Sequence, residues 1–432
     1  MLSSTLVSTP IDARSLALGA RRLWDRRSRL VGWGSGSVFE YFHSQYPFRL
    51  DYLVDSDESR WGQTRHGLEI VSPDRLRQDA EPDTFVVIYS GAWPEIQRAI
   101  ERMGPIASLA ASAVFADAAT RARLEVTEEI AREARPRRVR RSEHAVVIQG
   151  PIVPHVTPRV VRAMSALHPH DFVVLSTWTD ADSSLVTALS PWVDEIVKSD
   201  RPDPVGVQNR NCQIVSTLTG IERAMALGAH TILKTRTDLA VLNQDVFRQG
   251  RWWLDRIGRE AAQAAGLYDR IIVPSSFTRK YLLYHPADLV MLGDARDLQT
   301  FWSASLDPRG GSLLSADWID MPLTAVNMSG HPAESYLGLE FCRSIRRPAA
   351  GTLEDSWAFY RDLFAVVDND WFDLVWFKNL AIPDVGVRSG PRQTVSQAFW
   401  QRLQYDSGDM REEAARLDPG AIALREMVGA AQ

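Results

Sequence analysis

At 432 residues the chain exceeds what one hydrophobic core commonly supports, so two domains are expected. A composition of 45% hydrophobic and 24% charged residues, without a low-complexity tract, excludes a disordered chain. A formal net charge of −5 excludes a sequence-independent nucleic-acid binder, which needs a surplus of phosphate-neutralising cations. Cys212 and Cys342 are too few and too far apart for a disulfide framework or a cysteine-based zinc site, so a reducing compartment is expected. The opening MLSSTLVSTPIDARSLALGARRLW lacks an apolar signal region, and no run approaches eighteen apolar residues. These features predict a cytoplasmic protein, peripheral on the inner face of the membrane at most.

The fold class expected is α/β, with two Rossmann-like modules. The first covers 25–117. Arg29 to Trp33 reads as a strand, Gly34-Ser35-Gly36-Ser37 as a turn, Val38 to Gln45 as a helix, and Arg49 to Val54 as a second strand ending in Asp55. Strand, glycine turn, helix, strand and an acid about twenty residues on is the order of a dinucleotide-binding half-fold. Gly32, Gly34, Gly36 and Asp55 are therefore its candidate nucleotide-binding residues, although Ser37 and Val38 stand where the third glycine of the fingerprint would fall. A further buried strand, Asp83 to Tyr89, precedes a helix from Pro94 to Met103.

A helical basic linker, 118–143, closes on RPRRVRR. Such a segment suits anionic lipid. The interspersed Glu125, Glu128, Glu129 and Glu133 favour a solvated helix instead, and Arg21, Arg22, Arg26 and Arg27 read the same way.

The second module, 144–402, is expected to be a mostly parallel sheet flanked by helices with a helical C-terminal part, followed by a helical tail over 403–432. Its strands are predicted at Ala145–Ile148, Asp171–Ser176, Val193–Lys198 and His230–Lys234. Helices fall near Pro158–Leu167, Ser183–Leu189 and Asn209–Leu227. Ligands collect at the carboxyl ends of such strands. The ends carry Gln149-Gly150-Pro151, Thr177-Trp178-Thr179-Asp180, Ser199-Asp200 and Arg236-Thr237-Asp238, while Asn209 to Gln213 opens a long helix whose free N–H groups favour an anion. Arginine supplies nearly all the cations, the lysines being only Lys198, Lys234, Lys280 and Lys378, which singles out Lys234 beside Arg236 and Asp238.

The strings VVIQGPI (146–152), LSTWTD (175–180), NRNCQIVSTLTGIERA (209–224) and LKTRTDL (233–239), with YLLYHPADLVMLGDARDLQTFW (281–302) and HPAESYLGLEF (331–341), resemble the WavE lipopolysaccharide-synthesis family over about 144–400. The resemblance implies a GT-A-like glycosyltransferase that binds a nucleotide sugar and holds Mg²⁺ or Mn²⁺ on its diphosphate. It implies Gln149 and Gly150 at the first strand end, Trp178 to Asp180 by the nucleoside, and Asn209 to Gln213 along the ribose and diphosphate. Lys234 and Arg236 would meet the diphosphate, with Asp238 as the metal-binding acid. The first acid of the group's Asp-x-Asp motif is replaced by Arg236. Cations can take over part of a metal's work, since developing phosphate charge is stabilised by either. The bland alternative is a local ion pair between Arg236 and Asp238.

If the reaction inverts, a base is needed to deprotonate an acceptor hydroxyl, and Asp288 and Glu334, preceded by His285 and His331, are the candidate catalytic acids; each also has the context of a helix cap. Trp302, Trp318, Trp357, Trp371 and Trp376 read mainly as core, and Lys378 as a surface residue or a substrate contact. The first module resembles the nucleotide-binding half-fold beside many sugar-modifying enzymes, including sugar acetyltransferases.

The leading expectation is a transferase moving a sugar from a nucleotide donor to a lipopolysaccharide or surface-polysaccharide precursor, with a glycan or glycolipid acceptor. A non-catalytic nucleotide-sugar-binding or assembly protein is the alternative. A nucleotide-sugar dehydrogenase is the third, weakened by the absence of any lysine in residues 25–140.

Overall fold

The computed structural model describes residues 29–45, 49–116, 118–136, 138–139, 141–154, 156–310, 321–379, 394–405, 412 and 414. Arg21, Arg22, Arg26, Arg27, Trp318 and nearly all of the predicted tail lie outside them. Two units divide the chain: Met1–Glu129 with Val375–Pro383 and Ala431–Gln432, and Ile130–Leu374 with Asp384–Ala430. The division falls inside the helix Ala118–Glu133, within the expected linker, and residues 375–383 return to unit 1.

Unit 1 carries β1 (Leu30–Trp33), α1 (Ser37–Gln45), β2 (Tyr52–Val54), β3 (Thr64–Arg65), β4 (Leu68–Val71), α2 (Pro73–Asp79), β5 (Phe85–Ile88), α3 (Trp93–Met103) and β6 (Ala107–Ala110). The sheet order is β3-β4-β2-β1-β5-β6, parallel except for β3 against β4. Phe39, Phe42, Leu53, Val87 and Tyr89 form its core, because the apolar faces of α1 and the central strands have only each other to leave water with. Lys378 belongs to this unit, where its carbonyl accepts a hydrogen bond from Trp93 Nε1 at 3.0 Å.

After α4 (Ala118–Glu133), unit 2 runs β7 (His144–Gln149), α5 (Thr157–Leu167), β8 (Phe172–Trp178), α6 (Ser183–Leu189), β9 (Glu195–Ser199), α7 (Arg210–Ala226), β10 (Thr231–Arg236) and β11 (Leu239–Val241). Then come α8 (Val246–Ile257), β12 (Ile271–Pro274), β13 (Met291–Asp294), α9 (Ala295–Trp302), α10 (Leu323–Met328), α11 (Ala333–Ser344), α12 (Leu353–Leu363), β14 (Phe364–Val367) and α13 (Gln397–Tyr405). Seven strands are ordered β14-β12-β13-β10-β7-β8-β9, all parallel to their neighbours except β13, which is antiparallel to β10 and β12. β7 and β8 are buried along nearly their whole length, which is why they read as continuous apolar runs rather than alternating ones.

From β7 the chain steps outward to β8 and β9, then returns across the sheet to β10 on the other side of β7. The strand order therefore reverses between β7 and β10, and Gln149 lies opposite Arg236 at the carboxyl ends. A crevice at such a reversal is where open α/β sheets bind ligands.

The amino ends of the same strands are tied down differently. Asp171, just before β8, lies 3.3 Å from His144 Nδ1 and 3.2 Å from His168 Nδ1. Burial alone would raise the Asp171 pKa, but hydrogen bonds from the two imidazoles outweigh it and hold the carboxyl well below the usual range. A depressed folded-state pKa contributes stability above about pH 4 that is lost as pH falls further, on the order of a few kcal/mol. Melting curves against pH should show wild type losing stability below about pH 4, with Asp171→Asn weaker at neutral pH and flatter in acid. Parallel curves for the two proteins would remove Asp171 from this role.

Candidate functional site

The β10 strand delivers two cations of different character. Lys234 is 1% exposed, and its Nζ donates to the Asp288 carbonyl and, at 3.5 Å, to that of Leu289, while lying 4.7 Å from the Trp302 ring centroid. Burial lowers its basicity, partly offset by Asp288. Lys234 therefore fixes the segment bearing Asp288 from beneath. Arg236, at the strand end, makes a bidentate pair with Asp238, Nε to Oδ1 at 2.8 Å and Nη2 to Oδ2 at 3.0 Å. Burial opposes its charge, and Asp238 more than restores it. Two parallel charge-assisted bonds make this the strong form of the pair.

Asp288 and Glu334 reach the same place from other elements. Asp288, before β13, is 2% exposed, and its Oδ2 has no hydrogen-bond partner among the described residues. Glu334, in the first turn of α11, keeps a side chain 17% exposed. Burial raises the pKa of both carboxyls, and Glu334 raises that of Asp288 further, while Arg236 favours the ionised form of each. Two acids and an Arg–Asp pair thus share one electrostatic neighbourhood, assembled from β10, the loop before β13 and the start of α11.

Arg210, expected with its neighbours along the ribose and diphosphate, instead turns inward and holds α11 there. Arg210, fully buried at the start of α7, donates from Nε to the Val207 carbonyl at 2.9 Å and from its Nη atoms to the carbonyls of Gly330 and His331, and lies 3.3 Å from Asp307. Burial lowers its pKa to about 10, against the pull of Asp307. Gln208 Oε1 accepts from Ala333 N at 3.0 Å. Both residues sit in or beside the NRNCQ string, so the signal was present; its partners, a hundred residues on, were not visible.

The remaining candidates are dispersed around β7 and β8. Gln149 is buried, with Oε1 accepting from Ser216 Oγ at 2.8 Å. Gly150 has φ of 131°, and a Cβ there would lie 2.8 Å from Thr237 Oγ1, so the two strand ends meet only because it is glycine. Trp178 is buried beneath the Arg201 guanidinium, 5.0 Å from its ring, and Asp180 pairs with Arg201 Nε at 2.7 Å. The surface offered past β8 is therefore Arg201 and Asp180, not the indole. Asn209 is exposed and left-handed, with φ of 61°, and makes no side-chain cap hydrogen bond; Gln213 Oε1 is buried without a partner among the described residues. Trp302 and Trp357 are core, and Trp371 and Trp376 are half-buried.

A divalent cation at this site would call on Asp238. Both its oxygens already accept from Arg236, and among the described residues no three His, Cys, Asp or Glu side chains form a ligand set. Oxygen-rich coordination by several acids is what such a cation asks of a protein, and as arranged these residues do not fit it.

In unit 1 the glycine turn is closed by its own acid. Asp55 Oδ2 accepts from Ser35 N at 2.9 Å and from Ser35 Oγ, Oδ1 accepts from Asp57 N at 3.0 Å, and Arg60 lies 3.3 Å away. Gly34 has φ of 107°, and a Cβ would collide with the Tyr89 carbonyl. Gly32 faces Leu53 and Gly36 the Arg60 side chain. Strand packing and loop closure account for Gly32, Gly34 and Asp55.

Residues 144–310 match the family model for WavE lipopolysaccharide synthesis. The WavE match takes in Gln149, Arg210, Arg236, Asp238 and Asp288 and stops short of Glu334. It points to a role in lipopolysaccharide synthesis for the module that carries the site. No curated protein and no solved structure matches the chain. Among the described residues no helix is long and apolar enough to cross a membrane.

Proposed function

We propose that unit 2 is a glycosyltransferase that moves a sugar from a nucleotide-sugar donor to a glycan or glycolipid precursor of lipopolysaccharide or a surface polysaccharide. What carries the reading is the electrostatic neighbourhood that two carboxyls of raised pKa, Asp288 and Glu334, share with the Arg236–Asp238 pair at the point where strand order reverses. The diphosphate lies at the carboxyl ends of β7 and β10, toward Arg236 and the amino end of α7, whose N–H groups and dipole favour an anion. The nucleoside lies toward Asp180, Arg201 and Asn209. An acceptor hydroxyl approaches Glu334, the more exposed of the two acids, and gives up its proton there as it attacks the anomeric carbon. Asp288, locked in place through Lys234, sets the field around it. No step is routed through a metal; a cation on Asp238 enters as an arm of the test. Action on glycolipid would be peripheral at the membrane.

A thermal-shift panel of UDP, GDP, ADP, dTDP, NAD and NADP, each with and without Mn²⁺, tests the reading on wild type and Asp238→Ala. A ligand at a hundredfold excess over its Kd stabilises the folded state by about 2.7 kcal/mol, so a cognate diphosphate should raise the melting temperature of wild type and do so less in Asp238→Ala, where Arg236 loses its partner. No shift with any diphosphate sinks the transferase reading, and a shift with NAD or NADP alone favours a dehydrogenase. Stabilisation that requires Mn²⁺ in wild type and is lost in Asp238→Ala would restore Asp238 as a metal ligand, whereas equal Mn²⁺-assisted stabilisation in both would remove it from that role.

A further inference from the structure

The loop 275–288 bends through two left-handed aromatic residues, Phe277 with φ of 68° and Tyr284 with φ of 51°. Bulky side chains avoid this region, and such backbone persists only where its surroundings over-determine it. Here they do. Tyr284 N donates to Ser356 Oγ at 2.9 Å, His285 N donates to Tyr360 Oη at 2.8 Å, and Arg279 N donates to the His285 carbonyl at 3.0 Å. The result is that Phe277 turns its carbonyl oxygen onto His285 Nδ1, at 2.9 Å.

A carbonyl cannot donate, so Nδ1 carries the hydrogen of a neutral ring and Nε2 carries the lone pair. Nε2 lies 3.4 Å from Glu334 Oε2. Burial, with Arg279 nearby, pushes the His285 pKa down to about 3, so this contact is not an ion pair at neutral pH. Against an ionised carboxylate it sets lone pair against lone pair; against a carboxylic acid it is a hydrogen bond. The approach depends on Gly338, one helical turn beyond Glu334 on α11, where a Cβ would collide with the Tyr284 carbonyl.

We propose that His285 is the positioning residue for Glu334, its Nε2 set to receive a hydrogen bond from the carboxyl once Glu334 has taken the proton of the acceptor hydroxyl. This rests on the transferase reading of the same site. The acceptor O–H bond breaks and its proton goes to Glu334; the freed oxygen bonds to the anomeric carbon, and the bond from that carbon to the diphosphate breaks, its electron pair leaving with the nucleoside diphosphate. A partner that stabilises only the protonated carboxyl strengthens it as a base. The charges around Glu334 are Arg279 on the loop, Arg210 on α7, Arg236 and Lys234 on β10, and Asp288.

An infrared titration of the free, full-length protein reads this without any substrate, so its outcome is separate from that of the transferase reading. The Glu334 carboxyl is assigned by the band lost in Glu334→Gln. The net worth of one hydrogen bond corresponds to about one pH unit. The Glu334 midpoint is therefore expected to fall by about one unit in His285→Asn, whose amide replaces Nδ1 but leaves nothing at Nε2. It is expected to hold in His285→Gln, whose side-chain oxygen can accept at the Nε2 position. Should His285→Asn not fold, ¹⁵N-histidine NMR of wild type reports the tautomer directly, with Nε2 expected unprotonated and hydrogen-bonded. A midpoint unmoved in His285→Asn, equal shifts in both variants, or a hydrogen on Nε2 of the neutral ring overturns the proposal.

Discussion

Glu334→Gln is expected to lower the transfer rate by about 10²- to 10⁴-fold, the usual worth of a positioned general base, while leaving stabilisation by the cognate nucleoside diphosphate unchanged. The amide has the shape of the carboxyl and can still face His285 Nε2, but it cannot accept the acceptor's proton. Retained diphosphate binding separates loss of the base from loss of the donor site, because the amide keeps the shape of the carboxyl while the diphosphate is assigned to the carboxyl ends of β7 and β10. Steady-state rates and thermal shifts on the same preparation check it. A rate within about threefold of wild type would leave Glu334 without a chemical role, a change of under roughly 1 kcal/mol in the barrier.

Arg210→Met is expected to cost unit 2 about 3–5 kcal/mol, the usual penalty for breaking a buried ion pair by removing one partner. Methionine retains much of the stem, so little of the loss is volume. What disappears is a fully buried guanidinium serving the carbonyls of Val207, Gly330 and His331 and balancing Asp307, to which Arg309 Nε at 2.8 Å is left as the remaining cation. Roughly 10 °C of melting temperature should go with it at the usual entropy of unfolding. Because the same bonds hold the turn before α11, the surviving folded protein should also show weakened Glu334 function. A destabilisation within about 0.5 kcal/mol, typical of a surface change, would mean the carbonyls find other partners.

The strands are legible because a continuous apolar run is a local signal. Ala145–Ile148 and Asp171–Ser176 were expected as buried runs, and the structure places β7 and β8 over His144–Gln149 and Phe172–Trp178. The rarity of lysine draws the eye to Lys234, but not to its direction: expected as a ligand cation, it is a buried strut under Asp288. The bland alternative for Arg236 and Asp238, an ion pair, is present in the geometry. The glycine turn of the first module had the dinucleotide order, yet Asp55 spends its carboxylate on that turn.

The sequence by itself determined the α/β class, the strand ends at which polar residues accumulate, and the two acids worth testing, since all of these follow from side-chain periodicity and residue type. Only the tertiary structure decided that β10 returns beside β7, that Asp288 and Glu334 come to share one electrostatic neighbourhood, and that Arg210, Phe277, Tyr284 and Gly338 hold the segments bearing them. The physical reason is range. Backbone preference acts over a few residues, whereas the burial that shifts a carboxyl's pKa and the close approach that gives it a partner come from elements far apart in the chain, about fifty residues for His285 and Glu334 and 120 for Arg210 and Gly330, brought together only when the core closes.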